Sequence, residues 1–144
     1  MAAGAWKINP NAKLKLGDTS IDLGGAIFNL TLHSIGASAN LISGLVSVFT
    51  SIGSEVTGGG YAAVGNTLSS PTWVISGQNA VFDSSDWVVT GSIGSIKYAV
   101  IMQSISGTSG LVLCYSTLST SGFDLTGTNT LTIQMAAAGI FSLA

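Results

Sequence analysis

Apolar and polar positions alternate along most of the chain in short runs separated by Gly, Ser, Asn and Asp. Thr72 to Ile75 reads as a strand, Ser76 to Asn79 as a turn, and Ala80 to Phe82 as the return strand of a hairpin. Trp87 to Thr90 is the next strand, followed by a turn over Gly91 to Gly94. Ser95 to Ser104 (SIKYAVIMQS) is the most continuous apolar run and reads as a central strand buried on both faces. Ser106 to Gly110 is a loop, Leu111 to Thr117 a strand, Asn129 to Met135 an alternating strand, and GIFSLA a short terminal strand. Earlier, Ile21 to Ser34 predicts a first strand in which Ile27, Leu30 and Leu32 supply one apolar set, with Phe28 on the other face and His33 at the end as a surface or packing residue.

One stretch departs from this period. In Ala37 to Phe49, Leu41, Ile42, Leu45, Val48 and Phe49 follow an i, i+1, i+4, i+7, i+8 spacing that predicts a short helix, with Ser38 or Asn40 as cap. Gly44 weakens that helix, and the β-branched tail suits a strand, so residues 37–50 are read as a short helix or an irregular excursion. Residues 1–17 read as an extended N-terminal arm carrying Trp6, either free to anchor elsewhere or packed as a strand on its own domain; KLKL at 13–16 alternates like a short half-exposed strand. Strands every 8–12 residues or so with turn signals between them predict an all-β fold, an antiparallel β-sandwich or jelly-roll-like barrel, over residues 18–144.

Composition sharpens this picture at one point. Of 144 residues, 47% are hydrophobic and 7% charged, against about 25% charged in an average domain. Mean hydropathy is +0.58, yet no uninterrupted apolar run approaches the ~18 residues of a membrane span. The best stretch, 35–52, is broken by Gly36, Ser38, Asn40, Ser43, Gly44 and Ser47. The N-terminal lysines have no apolar block behind them, so the start does not read as a signal peptide. Four lysines, no arginine and a net charge of −2 argue against nucleic acid as a partner. So few charges protect a free surface poorly, which predicts a subunit whose surface is covered in an assembly.

Candidate chemistry fails at the spacings it requires. Gly58-Gly59-Gly60-Tyr61 permits positive φ or close backbone approach. It lacks the GxxxxGK[ST] pattern of a phosphate-binding loop, because no lysine lies between Lys15 and Lys97. Asp83-Ser84-Ser85-Asp86 lacks the DxDxDG pattern and distal Glu of a calcium loop and reads as a turn with Asx hydrogen bonds. Cys114, the sole cysteine, lies in the apolar run LVLCYS and reads as a buried small hydrophobe. No catalytic, cofactor or metal residue is assigned, and the chain is not expected to be an enzyme.

GGGYAAVGNTLSS, the preceding Glu55-Val56 step, AVFDSSDW (80–87), IKYAVIM (96–102) and LTIQMAAAGIFSL occur in an order that resembles a family of small virion structural proteins of tailed bacteriophages. The resemblance covers about residues 21–144. It departs at Lys97, where the family pattern has Arg, at Val64-Gly65, where it has a glycine pair, and in the long apolar stretch 36–52. Some members resemble head decoration, or cement, proteins. The resemblance therefore implies a virion location on the capsid exterior after synthesis in the host cytoplasm. It implies the major capsid protein as partner, self-association as a trimer, and no nucleic acid, membrane or cofactor. Capsid or intersubunit contact is then expected at Trp6, Ile8 and Leu14 of the arm and at Leu41, Leu45 and Phe49. The alternative is a tail-tip or fibre component binding a host-surface glycan through Tyr61, Trp73 or Trp87, whose other role would be core packing.

Overall fold

The computed structural model describes residues 4–44, 46–105 and 110–144. Its strands are β1 (Lys7–Ile8), β2 (Phe28–His33), β3 (Asn66–Thr67), β4 (Thr72–Ser76), β5 (Asn79–Asp83), β6 (Trp87–Thr90), β7 (Ile93–Ile96), β8 (Tyr98–Gln103), β9 (Leu111–Thr117), β10 (Phe123–Leu125), β11 (Thr130–Ile133) and β12 (Phe141–Leu143). Two α-helices, α1 (Pro10–Gly17) and α2 (Ser38–Ser43), accompany them. All pairings are antiparallel, in a five-stranded sheet of order β1-β9-β8-β2-β3, a three-stranded sheet β12-β5-β4, and the pairs β10-β7 and β11-β6. The protein is thus an all-β, sandwich-like fold with short helices, as the strand spacing predicts. No helix among the described residues is long and apolar enough to cross a membrane.

β8 is buried at every position. Its side chains alternate between two cores. Ala99 and Ile101 enter the larger one, with Phe28, Leu30 and Leu32 of β2 and Phe82, Trp87, Val89, Ile133 and Phe141 from the smaller sheets. Tyr98, Val100 and Met102 enter the second, whose other wall is Ala37, Leu41, Val46, Phe49 and Ile52. The excursion is therefore a cover on the outer face of the five-stranded sheet. It consists of a 3-10 turn at Ile35–Ala37, α2, and a 3-10 turn at Phe49–Ser51. Neither Ser38 nor Asn40 caps α2; its N-cap is Ala37, without a side-chain bond, while Asn40 Nδ2 donates to the Ile52 carbonyl at 2.8 Å.

Three local expectations are corrected. Residues 10–17 are helical, not extended or stranded. Asn9 supplies the N-cap oxygen and Pro10 the first helical position, a start signal that outweighs the two-residue alternation of KLKL. Among the described residues of the arm, Lys7–Ile8 forms the one strand, paired to β9 at Tyr115 and Cys114. The run 95–104 is divided at Lys97, where Ser95 takes φ +60° and the Lys97 N–H donates to the His33 carbonyl at 2.9 Å. In β2 it is Phe28, not Ile27, that joins Leu30 and Leu32 on the core face, while Ile27 is 61% exposed. The loop expected at 106–110 falls, over 106–109, outside the described residues.

The hairpin forms in the expected register, with Ser76 opposite Asn79 and Trp73 opposite Phe82. Gly77 takes φ +65° as the first of its two loop residues, the geometry that fits a right-twisted strand pair.

If the excursion is a core element, Leu41→Ala should cost about 2–5 kcal/mol, the range for emptying a packed site. Ile42→Ala, one residue on and 70% exposed, should change stability by less than about 0.5 kcal/mol. Urea denaturation of the two variants measures the difference.

Candidate functional site

The glycine turn proves to be a structural clasp. Gly59 takes φ +55°, and a Cβ there would lie 2.9 Å from the Thr90 carbonyl oxygen, so only glycine lets this turn rest on the backbone at 90–91. The turn delivers Tyr61 to β2, where its hydroxyl accepts the Leu32 N–H at 3.0 Å and donates to Glu55 Oε1. The same Glu55 oxygen accepts the Val64 N–H at 2.8 Å. Tyr61 thus serves backbone beyond the end of the two-residue strand β3. Burial, with the Glu55 carboxylate beside it, drives its phenol well above the ordinary range. Tyr61 also meets Trp87 edge-on at 6.5 Å between ring centres. Both rings are buried, which removes them from any surface glycan platform and fits their core-packing role.

His33 is fully buried. Its Nδ1 lies 2.8 Å from the Gly53 carbonyl and its Nε2 2.9 Å from Thr31 Oγ1, with Phe49 edge-on at 5.8 Å between ring centres. Burial pulls its pKa down to about 4, against a smaller upward pull from the Gly53 carbonyl. The ring is a neutral packing residue that ties the sheet to the excursion. Cys114 is likewise buried, and desolvation pushes its thiol far above the ordinary value. Neither group is placed to act as base or nucleophile.

The Asp83–Asp86 turn is held by distant partners, not by the expected Asx bonds. Asp86 Oδ1 accepts the Met135 N–H at 2.8 Å, and the Ser85 N–H donates to the Ser69 carbonyl at 3.0 Å. Asp83 Oδ1 is buried without a hydrogen-bond partner. Among the described residues, no group of three or more His, Cys, Asp or Glu side chains could hold a metal ion.

The expected contact residues separate into three groups. Leu41 and Phe49 lie in the second core. Trp6 and Ile8 are half-buried against the larger core. Leu14 stands on α1 with 68% of its surface exposed. Leu45 lies outside the described residues. The structure does not gather the five described residues into one surface. Residues outside the expected contact set are exposed to a similar or greater degree: Ile75 (82% exposed), Ile42 (70%) and Ile35 (60%). A signal for Ile75 exists in TWVI, four consecutive large or β-branched residues at a hairpin end where strict alternation would place one polar group outward.

Two of the surface grooves bear on residues already named. The first, about 530 Å3, is lined by Gly4, Trp6, Asp86, Gln134, Met135 and Ile140 among others. The Trp6 Nε1–H is buried without a hydrogen-bond partner. The second, about 550 Å3 and more apolar, is walled by Leu16, Ile21, Leu23, Trp73 and Leu143. Trp73 is held there by Phe141, 6.3 Å away between ring centres.

Comparison with known proteins finds no matching family model, no matching curated protein and no matching solved structure.

His33 generates a pH prediction. Its folded pKa lies below the unfolded value near 6.5, so the unfolded chain binds the extra proton and stability is lost as pH falls from about 6.5 to about 4. The slope attributable to this one group should approach, at most, about 1.4 kcal/mol per pH unit. Denaturant titrations across that window should show the slope reduced in His33→Gln relative to the parent chain, which separates it from carboxylate titration.

Proposed function

We propose that this chain is a non-enzymatic virion structural protein, a capsid decoration subunit that binds the outer surface of the major capsid protein lattice and stabilises the head. The reading rests on the order of segments in which the sequence resembles the phage virion family. The single structural observation that supports it is the surface. Leu14, Ile27, Ile35, Ile42 and Ile75 are each at least 60% exposed, on a chain with only four lysines and six carboxylates. A surface with so little charge has poor electrostatic protection against association and is suited to being covered. A cement protein needs no chemistry: burying modest apolar contacts on several capsomers at once multiplies weak affinities into a stable grip. The same surface favours self-association, so a homo-oligomer is part of the proposal.

A second reading, a tail-tip or fibre component that binds a host-surface glycan, draws on the groove at Trp6. The half-buried Trp6 ring, with Asp86 and Gln134 also lining the groove, offers a stacking face and polar groups of the kind a sugar requires.

The proposal is tested with shells of major capsid protein prepared without this chain. Co-sedimentation should show binding, and bound shells should melt at higher temperature. Leu14→Lys and Ile42→Lys, both at exposed positions, should weaken binding about tenfold or more, equivalent to about 1.4 kcal/mol, while the free protein keeps its melting temperature. Binding to host polysaccharide but not to shells, lost in Trp6→Phe, would favour the second reading instead.

A further inference from the structure

β4 is an outer strand of its sheet, paired among the described residues only to β5. The loop Gly77-Gln78 closes on the pair Ser76 and Asn79. In a two-residue hairpin that closing pair is hydrogen-bonded, and bonded pairs then alternate along the ladder. Thr72, Val74 and Ser76 therefore direct their backbone groups to β5, and Trp73 and Ile75 direct theirs outward. Exposed edges are ordinarily guarded by a charge, a proline within the strand or a bulge. β4 has none of these: no charged residue lies between Glu55 and Asp83, Pro71 stops one residue short of the strand, and the register with β5 is unbroken.

We propose that this edge is the docking site for a second copy of the same chain, joined antiparallel about a two-fold axis at Val74. In that register Trp73 lies opposite Ile75 of the second copy and Val74 opposite its own equivalent. Trp73 and Ile75 are the two residues whose N–H and C=O groups face outward. Centring on Val74 therefore pairs all the outward backbone groups of both strands, and two three-stranded sheets become one of six. The side chains fit the same register. Across the sheet, Trp73, Phe82 and Phe141 form one row and Ile75, Ala80 and Leu143 the next, on the same face. Trp73 and Leu143 wall the apolar groove of about 550 Å3. Ile75, 82% exposed in the single chain, is thereby placed against Trp73 at the mouth of the other copy's groove, and the contact is made twice. A two-fold contact sets each residue against a surface of its own kind; because the hairpin carries no charge from Thr72 to Phe82, self-pairing meets no like-charge repulsion. The inference does not depend on the virion reading.

Sedimentation analysis of the full chain over a concentration series tests it. The parent chain should form dimers. Ile75→Lys should raise the dissociation constant at least tenfold, with an unchanged melting temperature at dilutions where both chains are monomeric. Val88→Lys, the same change at another exposed strand position (52% exposed), should leave the dimer intact. Val74→Cys should cross-link across the two-fold under mild oxidation in much higher yield than Gln78→Cys, since the native Cys114 is buried. A parent chain that stays monomeric at high concentration would overturn the proposal. So would an oligomer of any size that Ile75→Lys leaves unchanged, or equal cross-linking at the two cysteine positions.

Discussion

Burial of β8 on both faces is the constraint from which the rest of the fold follows. A strand with water on one side needs apolar groups at alternate positions only. Tyr98, Ala99, Val100, Ile101 and Met102 offer them at five consecutive positions, so the five-stranded sheet needs a cover on each side. The smaller sheets supply one, with Phe82, Trp87, Ile133 and Phe141 facing β2 and β8. The segment from Ile35 to Ile52 supplies the other. Its placement in turn accounts for two polar oddities. His33 is buried and neutral because the excursion closes over it, with Gly53 and Thr31 meeting its ring nitrogens. Asn9 is buried because its side chain links the start of α1 to the Val46 carbonyl at 2.7 Å.

Much of this architecture was legible in the residues, for identifiable reasons. The hairpin at 72–83 has a two-residue glycine loop whose geometry is local. The double burial of β8 is written in an unbroken apolar run. The order of the sheets was not legible, because antiparallel partners such as β11 with β6 and β12 with β5 are set by contacts between segments about 40 or more residues apart. The helix α1 was missed because KLKL carries a two-residue period, while the deciding signal was Asn9-Pro10 just before it. The excursion is the short helix and irregular segment its spacing predicts, but Leu41 and Phe49 do not face a neighbouring molecule. Leu41 and Phe49 instead complete a core inside the domain, since period alone cannot tell which partner covers a stripe.

That distinction governs where function can lie. The conspicuous features of the central stretch, the glycine turn, Tyr61, Trp87 and the paired aspartates, hold the fold together through close backbone packing and long-range hydrogen bonds. What is left for contact is the outside: Leu14 on α1, Ile35 and Ile42 on the cover, and the free edge at Val74 and Ile75. These sites lie on different elements, which suits a subunit that touches more than one neighbour. Their chemistry is apolar area and outward-facing backbone groups, which supports the proposed role in assembly.

Native-state hydrogen exchange tests most directly whether the cover and the strand beneath it are one cooperative core. Protected amides of β8, such as Val100 and Ile101, and the Ile52 amide, which donates to the Phe49 carbonyl at 3.0 Å, should exchange only through global unfolding, with a free energy equal to that from denaturant titration. Exchange at Ile52 with a much smaller free energy, while β8 retains full protection, would show that the segment opens independently and would contradict the account.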